Sequence, residues 1–228
     1  MDTVKHDKDR ETRCGIPEVV LGERKTVENL LDAIKNFLDN SGRVIITRIG
    51  ERTTKAVLDL LKNDDSFEKN YTEDYNPRAA TLVIKDNNFI LPKTGYKVGI
   101  LTAGTSDMRV AEEAKVILDE LGCEVVVDYD VGIAGIHRVL AAVENMRSVS
   151  AIIAIAGMEG TLPGVVAGLV DVPVIGVPSS VGYGVSTGGR VALFTMLSSC
   201  TPVAVVNIDN GYGAAVIAYQ ITKVKNRG

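Results

Sequence analysis

Lys97-Val98-Gly99-Ile100-Leu101-Thr102-Ala103-Gly104-Thr105-Ser106-Asp107 is the stretch on which the fold turns. A short apolar run breaks into alanine, glycine and hydroxyl residues. The apolar positions then recur at helical spacing, at Val110, Ala114 and Ile117, so the phrase reads strand, tight loop, helix. Downstream the phrase repeats: strands are expected at Lys97–Thr102, Glu124–Val127, Ala151–Ile155, Val174–Val177 and Val203–Val206. A helical stretch follows each. Five such units in succession dictate a parallel sheet, because every crossover helix returns the chain to begin the next strand in the same direction. Residues 95–228 therefore read as a five-stranded parallel, three-layer α/β domain of nucleotide-binding type. In such sheets ligands sit at the carboxyl edge of the strands, among the strand-to-helix loops.

Upstream the pattern describes a smaller α/β unit, residues 14–94. Strands are expected at Glu18–Leu21, Arg43–Ile49 and Ala79–Ile84, and a helix from about Arg52 to Leu61. Thr26 caps a helix with apolar positions Val27, Leu30, Leu31, Ile34 and Leu38, and Gly42 ends it. The unit closes around Pro92–Gly95. Residues 1–13 form a polar arm, mobile unless an anion or another subunit orders it.

Composition bounds the function. Of 228 residues, 46% are hydrophobic and 22 are glycine, with no tryptophan, the palette of buried parallel strands joined by tight turns. A net charge of -4 without a basic block argues against a nucleic-acid partner. Cys14, Cys123 and Cys200 have no disulfide or zinc spacing, which points to a reducing cytoplasm. The apolar runs are too short for a membrane span.

The loops carry the chemistry. Gly104, Thr105, Ser106 and Asp107 form either a phosphate cradle or an ordinary helix cap. His137 and Arg138 open the next helix after Gly132–Gly135. The imidazole serves acid–base work or is structural, and the guanidinium suits an anion. Gly157, Met158, Glu159 and Gly160 set one carboxylate among glycines, as a base, a metal ligand or a cap. The loop from Ser179 to Arg190, with Ser180, Gly182 and Gly188, offers donors for a pyrophosphate or sugar, or is simply a surface loop. Asn207, Asp209 and Asn210 close the fifth strand. Cys200, at a helix–strand junction, is a buried small residue or a nucleophile. Its helix leads away from the ligand edge, so a working thiol requires a short helix or a neighbouring subunit.

These loops, with Leu162-Pro163-Gly164 and Val174-Ile175-Gly176-Val177-Pro178, resemble the carboxyaminoimidazole ribonucleotide mutases and aminoimidazole ribonucleotide carboxylases of purine synthesis. Those enzymes carry a histidine directly before Leu-Pro-Gly that handles a proton, and Thr161 stands there. The full chain is more similar to the LarB family of pyridinium-3,5-biscarboxylic acid mononucleotide synthases. The marks are Asp9-Arg10, Arg13-Cys14-Gly15-Ile16-Pro17-Glu18-Val19-Val20, Gly157-Met158-Glu159-Gly160, Ser199-Cys200 and Asn207 to Gly213.

The LarB resemblance implies carboxylation of the pyridinium ring of nicotinic acid adenine dinucleotide with CO2 and cleavage of its phosphoanhydride to release AMP, the first step of nickel-pincer cofactor synthesis. It implies magnesium, with Asp107, Asp128, Asp130 and Asp209 all open as ligands, and CO2 or bicarbonate as co-substrate. It also implies a homo-oligomer, dimer or larger closed assembly, with a shared site. The family's nucleophile falls on Cys200 and its glutamate on Glu159, with His137 available to position the carboxylate or CO2. The competing readings are a purine-pathway carboxylase or mutase and a non-catalytic nucleotide sensor, which needs only the glycine loops.

Overall fold

The computed structural model describes residues 7, 9–64 and 70–225. It divides into two compact units, residues 1–90 and 91–228.

In the first unit, α1 (Arg10–Cys14) ends on Gly15 in the left-handed conformation, and is followed by β1 (Val20–Leu21), α2 (Val27–Ser41), β2 (Arg43–Thr47) and α3 (Glu51–Lys62). A hairpin of β3 (Tyr71–Asn76) and β4 (Thr81–Asp86) completes it. The stretch read as a polar arm thus holds a short helix, steadied by Arg13 on Asp7 and by the Asp7 amide on Glu18 Oε2 at 2.8 Å. Residues 1–6 and 8 of that arm lie outside the described residues. Thr26 caps α2 as expected, its Oγ1 accepting from the Asn29 amide at 3.2 Å.

The sheet order is β1-β2-β4-β3, with β1 and β2 parallel and the other pairs antiparallel. Strand β3 was not foreseen in the sequence. Tyr71-Thr72-Glu73-Asp74-Tyr75-Asn76 is an edge strand with Thr72, Glu73 and Asp74 exposed, so its polar side chains conceal it from an apolar-periodicity reading. Leu30, Ile34, Phe37, Val44, Ile46, Val57, Leu61, Leu82 and Ile84 form the core between this sheet and its two long helices.

The second unit follows the expected alternation: β5 (Lys97–Thr102), α4 (Met108–Glu120), β6 (Glu124–Asp128), α5 (Ile136–Asn145), β7 (Ala151–Ala156), α6 (Leu162–Ala167), β8 (Val174–Pro178), α7 (Arg190–Leu197), β9 (Val203–Val205) and α8 (Gly211–Lys225). All five strands are parallel, in the order β6-β5-β7-β8-β9. Side chains alternate across β7. Ile152, Ala154 and Ala156 face α5, α6 and α7, where Val139, Ala142, Met146, Leu162, Val166 and Met196 meet them. On the other face α4 and α8 pack together, and buried Ala111, Ala114, Ala214, Ala215 and Ala218 let them approach closely.

Because β5 is followed by a strand on one side and, after β6, by β7 on the other, the crossovers part between β5 and β7. That places a crevice at their carboxyl ends. Among the described residues no helix is long and apolar enough to cross a membrane.

Ile153, fully buried at the sheet centre, tests the packing. Replacing it with alanine should cost about 2–5 kcal/mol, read as a lower denaturation midpoint in urea with an unchanged slope.

Candidate active site

Backbone lacing builds the carboxyl rim of the sheet. The Ala103 amide donates to the Ile155 carbonyl at 2.9 Å, Val131 to Thr102 at 2.9 Å, Ser179 to Ala156 at 2.9 Å, and Asp209 to Pro178 at 2.9 Å. Each loop therefore leaves its strand already tied to a neighbouring strand. Three of these loops hold a non-glycine residue at positive φ: Asp130 at 58°, Met158 at 47° and Asp209 at 55°. Each such residue costs about 1–3 kcal/mol, and together they mark where the chain is held against its preference.

Asp107 occupies the switch point. Its Oδ2 accepts from the Gly104 amide at 2.9 Å, closing the turn Thr105–Asp107 ahead of α4. Its Oδ1 is buried without a hydrogen-bond partner. Burial pushes the Asp107 carboxyl above the usual carboxylate range, and the charge of Asp209 adds to the rise. The Gly104 amide, the nearby Ser179 hydroxyl and the Gly157 amide pull the other way. Gly157 is required at this spot, since a Cβ there would lie 2.1 Å from the Val181 carbonyl oxygen and 3.4 Å from Asp107 Oδ1.

Asp209 joins two loops: its Oδ1 accepts from the Ser180 amide at 2.8 Å. Asn210 caps α8, accepting from the Gly213 amide at 2.8 Å, while Asn207 is exposed and accepts from the Ile208 amide at 2.9 Å. Gly182 fits against Ser186, and Gly188 takes a positive φ of 77° in an exposed stretch. Thr105 and Ser106 are exposed on the first loop. His137 is exposed on the first turn of α5. Arg138 Nη1 donates to the Asp130 carbonyl oxygen and, at 3.0 Å, to Asp130 Oδ2, so the guanidinium braces its own loop.

Glu159 is exposed between Met158 and Gly160, both left-handed. The Met158 amide reaches the Val181 carbonyl at 3.2 Å and the Gly160 amide reaches the Gly157 carbonyl at 2.8 Å, so the loop is fixed on both sides of the carboxylate.

Cys200 is exposed and lines a groove of about 580 Å³. Gly160, Thr161, Gly164, Val165, Phe194 and Ser199 are among the other residues that line it. The thiol thus shares a groove with the two residues that follow Glu159, although its helix leads away from the ligand edge. The reason is length. Helix α7 has eight residues, about 12 Å at 1.5 Å per residue, and Gly160 packs directly on Ala192 in its first turn.

Thr102 and Thr201 carry no functional signal in the sequence. Thr102 Oγ1 accepts from the Asp130 amide at 3.1 Å and is wholly buried. Its only signal was a hydroxyl ending an apolar strand, which is common and uninformative. Among the described residues no three acidic, histidine or cysteine side chains gather as a metal site.

Comparison with known proteins gives the family. Residues 97–228 match the AIR carboxylase family and residues 1–86 match the LarB/PurE-like N-terminal domain. An uncharacterized protein of Methanocaldococcus jannaschii is 46% identical over 99% of this chain and 86% of its own length. An N5-carboxyaminoimidazole ribonucleotide mutase of the same organism is 37% identical over 56% of this chain and 79% of its own. The crystal structure of Treponema denticola PurE is similar over 57% of this chain and 82% of that one, at 24% identity and a TM-score of 0.47. With an AIR carboxylase domain behind a LarB/PurE-like N-terminal domain, and a near-full-length relative of the same extent, the chain belongs to the LarB branch of this family of carboxylases and mutases.

Proposed function

We propose that the chain carboxylates the pyridinium ring of nicotinic acid adenine dinucleotide with CO2 and cleaves its phosphoanhydride, yielding pyridinium-3,5-biscarboxylic acid mononucleotide and AMP at the start of nickel-pincer cofactor synthesis. The observation that carries this reading is the groove that the exposed Cys200 lines together with Gly160 and Thr161, next in sequence to Glu159.

A pyridinium ring is electron-poor and does not attack CO2. When the Cys200 thiolate adds to it, a C–S bond forms and a ring electron pair shifts to nitrogen, leaving an enamine-like carbon. That carbon forms the C–C bond to CO2. Glu159 then takes the ring proton, the C–S bond breaks with the electron pair leaving on sulfur, and aromaticity returns. Water attacks the anhydride phosphorus and the P–O bond breaks, releasing AMP. One CO2 and one water are consumed and the thiolate is regenerated.

The loop Gly104–Asp107, Arg138 and the donors at Ser180, Gly182, Gly188, Asn207, Asp209 and Asn210 take the phosphates and riboses in this reading. His137 positions CO2 or bicarbonate. Magnesium binds proteins through one or two carboxylates with the rest supplied by water and phosphate. Asp107, Asp128, Asp130 and Asp209 are the rim carboxylates that would hold an ion brought with the substrate, where it would offset phosphate charge. Neighbouring copies of the chain closing the groove belong to the same reading, supported by the exposure of Phe194 and Leu197 on α7.

A second reading, N5-carboxyaminoimidazole ribonucleotide mutase, is favoured by the family match over residues 97–228. Feeding each nucleotide with labelled bicarbonate separates the two, because only the dinucleotide releases AMP.

Cys200→Ser should lose carboxylation by at least about a thousandfold and Glu159→Gln by about 10²–10⁴-fold, measured as fixed label. Full activity in Cys200→Ser would end the thiolate mechanism. Asp107 gives a pH signature. A carboxyl whose pKa is raised on folding binds its proton more tightly in the native state, so its burden appears as pH rises through the carboxylate range. Asp107→Asn, which keeps an acceptor for the Gly104 amide, should be more stable than wild type at pH 7. The difference should vanish at pH low enough to protonate the aspartate in both states, as read in urea melts at each pH.

A further inference from the structure

The turn that carries Cys200 is locked by a directed chain of hydroxyl hydrogen bonds. Thr201 Oγ1 donates to the Gly164 carbonyl at 2.8 Å. A hydroxyl has one proton, so the 2.8 Å contact between Ser199 Oγ and Thr201 Oγ1 has Ser199 as its donor. Ser199 Oγ in turn accepts from the Thr201 amide at 3.3 Å. The residues on both sides of Cys200 are thereby joined to each other and to α6.

The acceptor on α6 is an orphan of that helix. Helix α6 has only six residues, and the Gly168 amide bonds the Val165 carbonyl instead of reaching Gly164. The Gly164 carbonyl is one of the terminal groups a helix leaves unsatisfied, and Thr201 satisfies it. The position is also tight: a Cβ on Gly164 would lie 3.0 Å from Ser199 Oγ and would press on the hydroxyl chain. Gly164, Ser199 and Thr201 line the same groove as the thiol.

We infer that Thr201 is a positioning residue for Cys200: through Ser199 and the Gly164 carbonyl it clasps the cysteine turn to α6 and aims the thiol into the groove beside Gly160 and Thr161. This rests on Cys200 acting as the nucleophile, but the clasp is testable without any substrate. Holding a nucleophile in one geometry matters because a displacement of about 1 Å costs orders of magnitude in rate.

The test uses the full chain and iodoacetamide, with the alkylation rates of Cys200 and Cys14 read separately by peptide mass spectrometry. Cys14 is exposed in the other unit and serves as the internal reference, while Cys123 is buried. Thr201→Val preserves shape and removes the hydroxyl, Thr201→Ser restores it, and Ser199→Ala removes the second link. With native circular dichroism throughout, Thr201→Val and Ser199→Ala should raise the Cys200-to-Cys14 rate ratio at least threefold, and Thr201→Ser should return it to the wild-type value. A ratio in Thr201→Val that is unchanged or lowered overturns the clasp. If Thr201→Val does not fold, Ser199→Ala decides by the same ratio. In carboxylation assays Thr201→Val should lower kcat at least tenfold with KM within about twofold. Were wild type to fix no label, the proposed reaction would fail while the alkylation ratio still judged the clasp.

Discussion

The parting of the crossovers between β5 and β7 is the constraint on which the second unit depends. Two neighbouring parallel strands there send their chains to opposite faces of the sheet, so nothing in the local fold covers their carboxyl ends. The backbone polar groups at that rim still need partners, and they find them by running the ladder one residue past β5 and β8, from Ala103 to Ile155 and Ser179 to Ala156, and by a further bond from Asp209, four residues past β9, to Pro178. This lacing makes the loops rigid enough to hold Asp130, Met158 and Asp209 at positive φ. A rim of this kind fixes the backbone that bears residues such as Glu159 without a helix or strand to carry them.

The same rim explains why a buried acid sits at its centre. Asp107 gains one good hydrogen bond from the Gly104 amide, but its other oxygen faces the close approach of Gly157 without a partner. Its burial beside Asp209 works against ionisation. A fold selected only for stability would place an amide or an apolar residue there.

Short helices do the remaining work. Had α7 continued for three more turns, Cys200 would have ended at the far side of the sheet. At eight residues it stops beside α6, whose six residues leave a carbonyl for Thr201. The groove is therefore a product of two truncated crossovers. In a parallel α/β unit the crossover normally spans the sheet, so the departure is what opens the groove.

Local patterns determined much of this protein by themselves. Strand–loop–helix alternation from Lys97 onward, the Thr26 cap and the Gly42 stop were legible because each rests on hydrophobic period or on a backbone requirement met within a few residues. The loops holding Gly104–Asp107 and Glu159 were legible for the same reason, as glycine-rich breaks at strand ends. Strand β3 was not legible, since its pairing with β4 is a tertiary event and its exposed side chains are polar.

Nor could sequence spacing show that Arg138 turns back on Asp130, that the Ser179 hydroxyl acts on the Asp107 carboxyl, or that Cys200 shares a groove with Thr161. Those contacts join residues 8 to 72 positions apart through helix lengths and packing angles that no local pattern encodes. The sequence alone determined which edge of the sheet gathers the glycine-rich strand-to-helix loops, because strand direction follows from alternation. Only the tertiary structure decided which side chains meet there, because that depends on where each crossover stops.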